Sequence, residues 1–324
     1  ETSQRFSGKL PFLLKVLSAA KPLSIQTHPS RERARVGFAE ENEAGIPLTA
    51  RERNYKDENH KPELIVALTD FYALRGFRPR EEIQATLEEL PELGSTNKLQ
   101  LNWHDLRSSY EHFLTMSQTE VDDILGALLK RLSRESTEKA FSPDEREFWI
   151  LRADRDFSRG GHKDRGLFSL YLLNLIHLAP GDGLFLPSGI LHAYLEGSGI
   201  EVMANSNNVL RGGLTPKHVD VKELLENITY ADGPAEILQP VQNQLKQEWV
   251  YRTPAEEFEL GRIEVSSSRT YQCDSHHDVE ILILTNASKD ARANIETMGK
   301  TMPLEQGQVY LIPHGVFYTI QANQ

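Results

Sequence analysis

The chain has 324 residues with a formal net charge of −11, and 26% of its residues are charged. That length allows two or three domains. The charge balance opposes nucleic acid, which the overall field would repel, and no apolar run approaches the roughly 18 residues that would span a bilayer. A single cysteine, Cys273, excludes an intrachain disulfide and a cysteine-based zinc cluster. The start, ETSQRFSGKLPFLLKVL, lacks the form of a cleavable secretory signal. A reducing, cytoplasmic setting is the expectation.

In chain order, LPFLLKVL reads as a strand, and LSIQTH alternates as a half-buried strand does. Residues 29–60 are polar and charged, an excursion with room for one short helix and long enough to carry function. KPELIVALTDFYALRGFR returns to β-type sequence. Four segments with helical periodicity follow: REEIQATLEEL, WHDLRSSYEHFLTM, TEVDDILGALLKRLS and SPDEREFWILRADRDF. Ser142-Pro143-Asp144-Glu145 predicts a helix start with proline in the first helical position. From GLFSLYLLNLIHL to EVMAN the sequence is β-rich with glycine turns. Residues 216–227 predict one more helix, and 255–324 are again β-rich. His177 lies in an apolar strand and reads as a core residue. His276-His277 reads as solvated surface, and Cys273 as a bystander.

One spacing occurs twice. GDGLFLPSGILH (181–192) and GQVYLIPHGVFY (307–318) share Gly-x5-Pro-x-Gly-x2, with Tyr318 where His192 stood. Each copy predicts a turn, a strand, a Pro-Gly turn and a second strand. The pair suggests two related β-barrel units, only the first with a histidine at a metal-ligand position. Two ordinary hairpins sharing Gly and Pro are the alternative. The spacing resembles the second motif of the cupin superfamily, whose histidine points into a small barrel to bind metal. Cupins often carry Asn where this chain has Glu196.

Gln26 and His28 are two apart on a predicted strand and so share a face. With His192, and with Glu63 at the head of KPELIVAL, they make a candidate metal set. Two imidazoles with carboxylate and amide oxygens suit Zn²⁺, and Mn²⁺, Co²⁺ or Fe²⁺ could occupy the same set. A hydrogen-bonded pair on a surface strand is the plainer reading of Gln26-x-His28.

LPFLLKVLSAAKPLSIQTHPS, ERNYKDENHKPELIVAL and FLPSGILHAYLEGSGIEVMANSNNVLRGGLTPKHVD, in this order, resemble type I mannose-6-phosphate isomerases over most of the chain. The resemblance implies a mainly β protein: two cupin-type jelly-roll barrels plus an inserted α-helical domain. Residues 1–78 and 159–254 would form the metal-binding catalytic domain, 79–158 the helical domain, and 255–324 a second barrel without the metal ligand. It implies one zinc per chain on Gln26, His28, Glu63 and His192. Arg211 matches the active-site arginine, Lys61 and His60 match residues of proton handling, and Glu201 is a further polar candidate. Lys15 and Ser24 match positions linked to the substrate phosphate. Many members read Ser-Asp-Asn where this chain has Ser206-Asn207-Asn208, so no acid or base role carries over to Asn207. The family usually has roughly seventy more residues before LPFLLKV, set against domain-size priors, and a further closing strand, so a fragment is expected.

The implied reaction interconverts mannose 6-phosphate and fructose 6-phosphate through an enediol(ate). Lys61 could act as base only with a pKa lowered by burial and neighbouring positive charge; His60 and Glu201 are its rivals. The partner would be a small sugar phosphate, with no nucleic acid and no membrane, and the chain a monomer. The alternatives are another metal-dependent cupin enzyme or a non-catalytic sugar-phosphate-binding protein.

Overall fold

A computed structural model describes residues 8–94, 105–243, 248–273, 278–288 and 292–323. His276-His277 lies outside them. The chain divides into two compact units. The larger is Lys15–Ile237, and the smaller joins Glu1–Leu14 to Leu238–Gln324.

The larger unit is built on an eight-stranded sheet assembly. Its strands are β1 (Phe12–Ala19, mostly within this unit), β2 (Ile25–Thr27), β3 (Glu63–Ala67), β4 (Phe71–Phe77), β5 (Leu173–Leu178), β6 (Gly183–Leu186), β7 (His192–Ala204) and β8 (Leu210–Gly213). β7 is long enough to serve two sets of partners. Its first half pairs antiparallel with β4 and, at His192, with Gln26 of β2. Its second half pairs with β3, placing Glu201 opposite Ile65 and Met203 opposite Glu63. A single strand therefore brings both ends of the candidate set to β3.

The 29–60 excursion holds one helix, Arg31–Glu43, capped by the Ser30 side chain accepting from the Arg33 backbone N–H. Between β4 and β5 lie the expected helices Arg80–Glu89, Leu106–Thr115, Gln118–Glu138 and Arg146–Phe157. Gln118–Glu138 opens on a capping box in which Ser117 and Glu120 satisfy each other's backbone N–H. The last of these helices starts at Arg146, not at Pro143. Ser142–Glu145 forms a turn, in which the Glu145 backbone N–H donates to the Ser142 carbonyl at 2.9 Å. The Pro143 carbonyl turns away to accept from the indole of buried Trp149 at 2.6 Å. Satisfying that N–H in the core outweighs one extra helical turn.

Residues 166–172, within the stretch read as β-rich, lie in a 3-10 turn that starts at Arg165 and a short helix that follows it. Leu167, Phe168 and Leu170–Leu172 are all buried, so the run carries no amphipathic period to distinguish helix from strand. Asp164 decides the matter by accepting from the Gly166 backbone N–H. His177 is also corrected. Its neighbours Ile176 and Leu178 are buried, but its own side chain is 41% exposed and pairs with Asp70 at 2.9 Å. An apolar neighbourhood in sequence hid the two-residue alternation of the strand. One core cluster includes Leu74, Ala193 and Leu195 from strands with Phe113, Leu128 and Trp149 from helices. The helices are thus packed on the sheet.

The smaller unit is strand-rich among its described residues, with Glu280–Ile283 paired to Val309–Ile312 and Ala293–Thr297 paired to both Lys300–Leu304 and Thr319–Ala322. The repeated spacing has a shared geometry. Gly189 and Gly315, the second glycines of the two copies, have φ of +84° and +75°, a region open to glycine at little cost. The strand before each Pro-Gly turn pairs with a strand headed by glutamate: Glu63 opposite Leu186 and Glu280 opposite Ile312.

Candidate metal centre

His28, Glu63 and His192 come together from three places in the chain and are each about 1% exposed. One ligand atom from each can be chosen so that all lie within 4.8 Å of one another. His28 Nε2 is 3.2 Å from Glu63 Oε1, and His192 Nε2 is 3.5 Å from Glu63 Oε2. Gln26 joins them, its Nε2 3.3 Å from His192 Nε2. β2 ends at Thr27, so His28 lies just beyond the strand. The Pro-Gly turn holds it there: the Gly189 backbone N–H donates to the His28 carbonyl at 2.9 Å.

The outer ring nitrogens set the tautomers. His28 Nδ1 donates to the Asn208 carbonyl at 2.7 Å, and His192 Nδ1 donates to the Ile190 carbonyl at 2.9 Å. Neutral rings so oriented turn their Nε2 lone pairs inward. They face a carboxylate, which also only accepts. His28 Nε2 and Glu63 Oε2 are buried without a hydrogen-bond partner among the described residues. Buried acceptors converging on one another need a cation, and this donor set fits a zinc-type ion. Rotating the Gln26 amide by half a turn would add its oxygen.

Charges around the cluster agree. Burial lowers the His28 imidazole from its ordinary value, more than Glu63 raises it. Burial alone would raise Glu63, but protons carried by the His28 and His192 rings in the absence of a cation, and the charge of Lys61, hold it well below the usual carboxylate range. Lys61, 8% exposed, places Nζ 2.7 Å from Glu63 Oε1. Burial, then the Glu63 charge, raises the Glu201 carboxyl against the pull of Lys15 and Lys61. Lys15 Nζ lies 3.4 Å from Glu201 Oε2, with half of its side chain exposed. His60 Nε2 accepts from Arg31 at 2.7 Å.

Arg211 is half-buried on β8, in register with Gln26. Burial lowers its guanidinium, though arginine stays protonated at any working pH. The glycines after it serve packing. A Cβ on Gly213 would stand 2.4 Å from Gly166 Cα. Ser24 sits one residue before β2 and is partly buried. Glu196, at the position where cupins often have Asn, is ion-paired with Arg152.

Two features escaped sequence reasoning. Asn208, wholly buried, supplies the carbonyl that orients His28. Glu280 is the smaller unit's counterpart of Glu63, and the likeness of ELIVALT to EILILT could have found it. There the Tyr318 hydroxyl donates to Glu280 Oε2 at 2.5 Å, and the Cys273 backbone N–H donates to the Tyr318 carbonyl at 3.0 Å. A neutral donor holds the carboxylate where the larger unit has an imidazole lone pair. Elemental analysis after saturation with Zn²⁺ and removal of excess ion is expected to give one zinc per chain, unchanged by Tyr318→Phe. A zinc located between Glu280 and Tyr318 would overturn this.

Comparison with known proteins agrees with the site. The family model for the type I phosphomannose isomerase catalytic domain matches residues 1–80. Mannose-6-phosphate isomerase of Escherichia coli K12 is 40% identical over 277 residues, 83% of this chain and 66% of that protein. The rat enzyme of the same name is 35% identical over 337 residues, 98% of this chain and 74% of that protein. The crystal structure of the Salmonella typhimurium enzyme bound to substrate (F6P) and zinc covers 100% of this chain and 81% of that one, at a TM-score of 0.81 and 32% identity. A mainly β architecture with helices and a buried His–Glu–His cluster thus defines the class, and the chain belongs to the type I phosphomannose isomerase family. It spans 66% of the length of the Escherichia coli relative.

Proposed function

We propose that this chain is a zinc-dependent aldose–ketose isomerase that interconverts mannose 6-phosphate and fructose 6-phosphate. The convergence of His28, Glu63 and His192 in a member of this family carries the reading. The Escherichia coli and rat relatives are named for that isomerase, and the Salmonella structure holds zinc and substrate. The proposed ligands are Gln26, His28, Glu63 and His192, with one ion per chain. The proposed architecture is a metal-bearing cupin barrel (1–78 and 159–254), an inserted helical domain (79–158) and a second barrel (255–324). With one cysteine, and that one buried, we place the protein in the cytoplasm, as a monomer acting on a small sugar phosphate.

The hard step is removal of a weakly acidic proton from carbon beside a carbonyl. When bound, the ion supplies Lewis-acid polarisation of the substrate's carbonyl oxygen. Arg211 holds the substrate and balances negative charge as it develops toward the enediolate. Lys61, with His60 and Glu201 as rivals, is the candidate for proton transfer. Glu201 is suited to hold a proton, because burial and Glu63 both favour its neutral form. Lys61 donates to Glu63 Oε1 at 2.7 Å, which places its ammonium beside the cluster. Lys15, still half-exposed, can reach the phosphate with Ser24, leaving the far end of the sugar toward the cluster.

Stripping metal with a chelator is expected to abolish conversion of mannose 6-phosphate, and stoichiometric Zn²⁺ to restore it. Zinc-loaded protein without conversion would refute the isomerase assignment. Zinc-dependent calorimetric binding of mannose 6-phosphate in that inactive protein would identify a sugar-phosphate-binding protein instead.

A further inference from the structure

Asn208 is 0% exposed, and every polar group it owns is engaged. Its Oδ1 accepts from the backbone N–H of Lys56 at 2.6 Å and of Asp57 at 3.2 Å. Its Nδ2 donates to the carbonyls of Asp57 and Asn59, both at 2.8 Å. Its backbone N–H donates to Ser206 Oγ at 3.2 Å. Its own carbonyl accepts from His28 Nδ1 at 2.7 Å. The side chain thus pins the loop that runs directly into His60, Lys61 and Glu63. The carbonyl fixes the ring of His28, and the chain continues from Asn208 into β8 and Arg211.

We propose that Asn208 is a positioning residue of the site: its side chain holds the loop that leads to His60, Lys61 and Glu63, and its backbone carbonyl fixes the ring of His28. The inference rests on the metal reading above. The chemistry demands an amide. The site offers two backbone donors to one end of the side chain and two carbonyl acceptors to the other, and only a group with a separate acceptor and donors serves both. A carboxylate of the same shape would keep the contacts to Lys56 and Asp57 N–H while setting an anion against the carbonyls of Asp57 and Asn59. The loop would then move away from Asn208, carrying His60 and Lys61 and loosening the approach to Glu63 at the head of β3, while His28 stayed bound to the Asn208 carbonyl. Partners that orient metal ligands typically govern affinity by roughly 10- to 100-fold.

The test compares Asn208→Asp with the unaltered chain, both stripped and reloaded. Zn²⁺ affinity by chelator competition is expected to fall roughly 10- to 100-fold. The d–d spectrum of the Co²⁺-substituted protein is expected to shift, and kcat for mannose 6-phosphate to fall with KM little changed. Unaltered zinc affinity with an unaltered cobalt spectrum would overturn the proposal, even if the metal-free variant melts earlier, since that pattern marks a residue of stability alone. Should Asn208→Asp fail to fold, Ser206→Ala carries the same test. It removes the bonds from Ser206 Oγ to Asp57 Oδ1 at 2.8 Å and to the Asn59 carbonyl at 3.2 Å, loosening the same loop. A smaller shift in the same direction supports the proposal, and none overturns it. An unaltered chain that binds neither zinc nor cobalt would instead remove the metal reading, and this inference with it.

Discussion

His192→Ala is expected to leave the folded protein without tightly held metal and without isomerase activity. The ring contributes an inward Nε2 lone pair, 3.5 Å from Glu63, and its Nδ1–H is spent on the Ile190 carbonyl. Alanine removes one of two nitrogen donors from the proposed set of four and opens a cavity beside His28, whose ring centroid lies 5.2 Å away. The remaining carboxylate, amide and single imidazole form a harder set with weaker zinc affinity. We expect zinc below a tenth of stoichiometry after dialysis, and kcat/KM down by roughly 10³-fold or more, on the scale of losing the group that polarises the carbonyl. The fold should survive, because the surrounding β7 residues Ala193, Tyr194 and Leu195 stay packed in the core. Full retention of zinc by elemental analysis would remove His192 from the ligand set. Near-normal activity with no zinc would remove zinc from the reaction.

Arg211→Lys is expected to lower kcat for mannose 6-phosphate by roughly 10²- to 10³-fold, about 2.7–4 kcal/mol of transition-state stabilisation, with little effect on thermal stability. The change keeps one positive charge. It loses the planar fork that can hold a carbonyl or hydroxyl oxygen through two N–H groups at once. Arg211 is half-buried, and burial opposes its charge. Zinc content should be unchanged, which separates this variant from His192→Ala. Unchanged turnover in Arg211→Lys would exclude it from the mechanism, and a large drop in melting temperature would make it a structural residue.

The sequence by itself determined much of the chemistry. The proposed ligands Gln26, His28 and His192 stood out because the Gln-x-His and Gly-Pro-Gly spacings are local patterns, and Glu63 because it heads a strand-like segment, although β2 ends at Thr27 and leaves His28 beyond the strand. The helices between 80 and 157 were legible for the same reason, each carrying its own apolar period. Where burial is complete the local signal vanishes. The run Leu167–Leu172 is buried on every side, so no amphipathic period distinguishes a helical turn from a strand, and Asp164 settles the question from outside. His177 shows the converse. A strand of apolar neighbours implied the core, and only the position of β5 on the sheet turned that side chain to Asp70 and solvent.

Tertiary structure alone decided how the ligands are held. His28 is oriented by a carbonyl 180 residues away along the chain, and Glu63 is placed by pairing of β3 with β6 and β7, more than a hundred residues on. Such contacts leave no periodic trace, because backbone carbonyls are common to every residue and only the fold selects one of them. The same holds in the smaller unit. The change from His192 to Tyr318 was plain in the sequence, but its consequence required the strand register that sets Glu280 beside the tyrosine hydroxyl. Residue type determined which atoms could ligate a metal. Long-range packing determined which of them point at the same point in space, since convergence is a property of distances between segments that the chain separates by many residues.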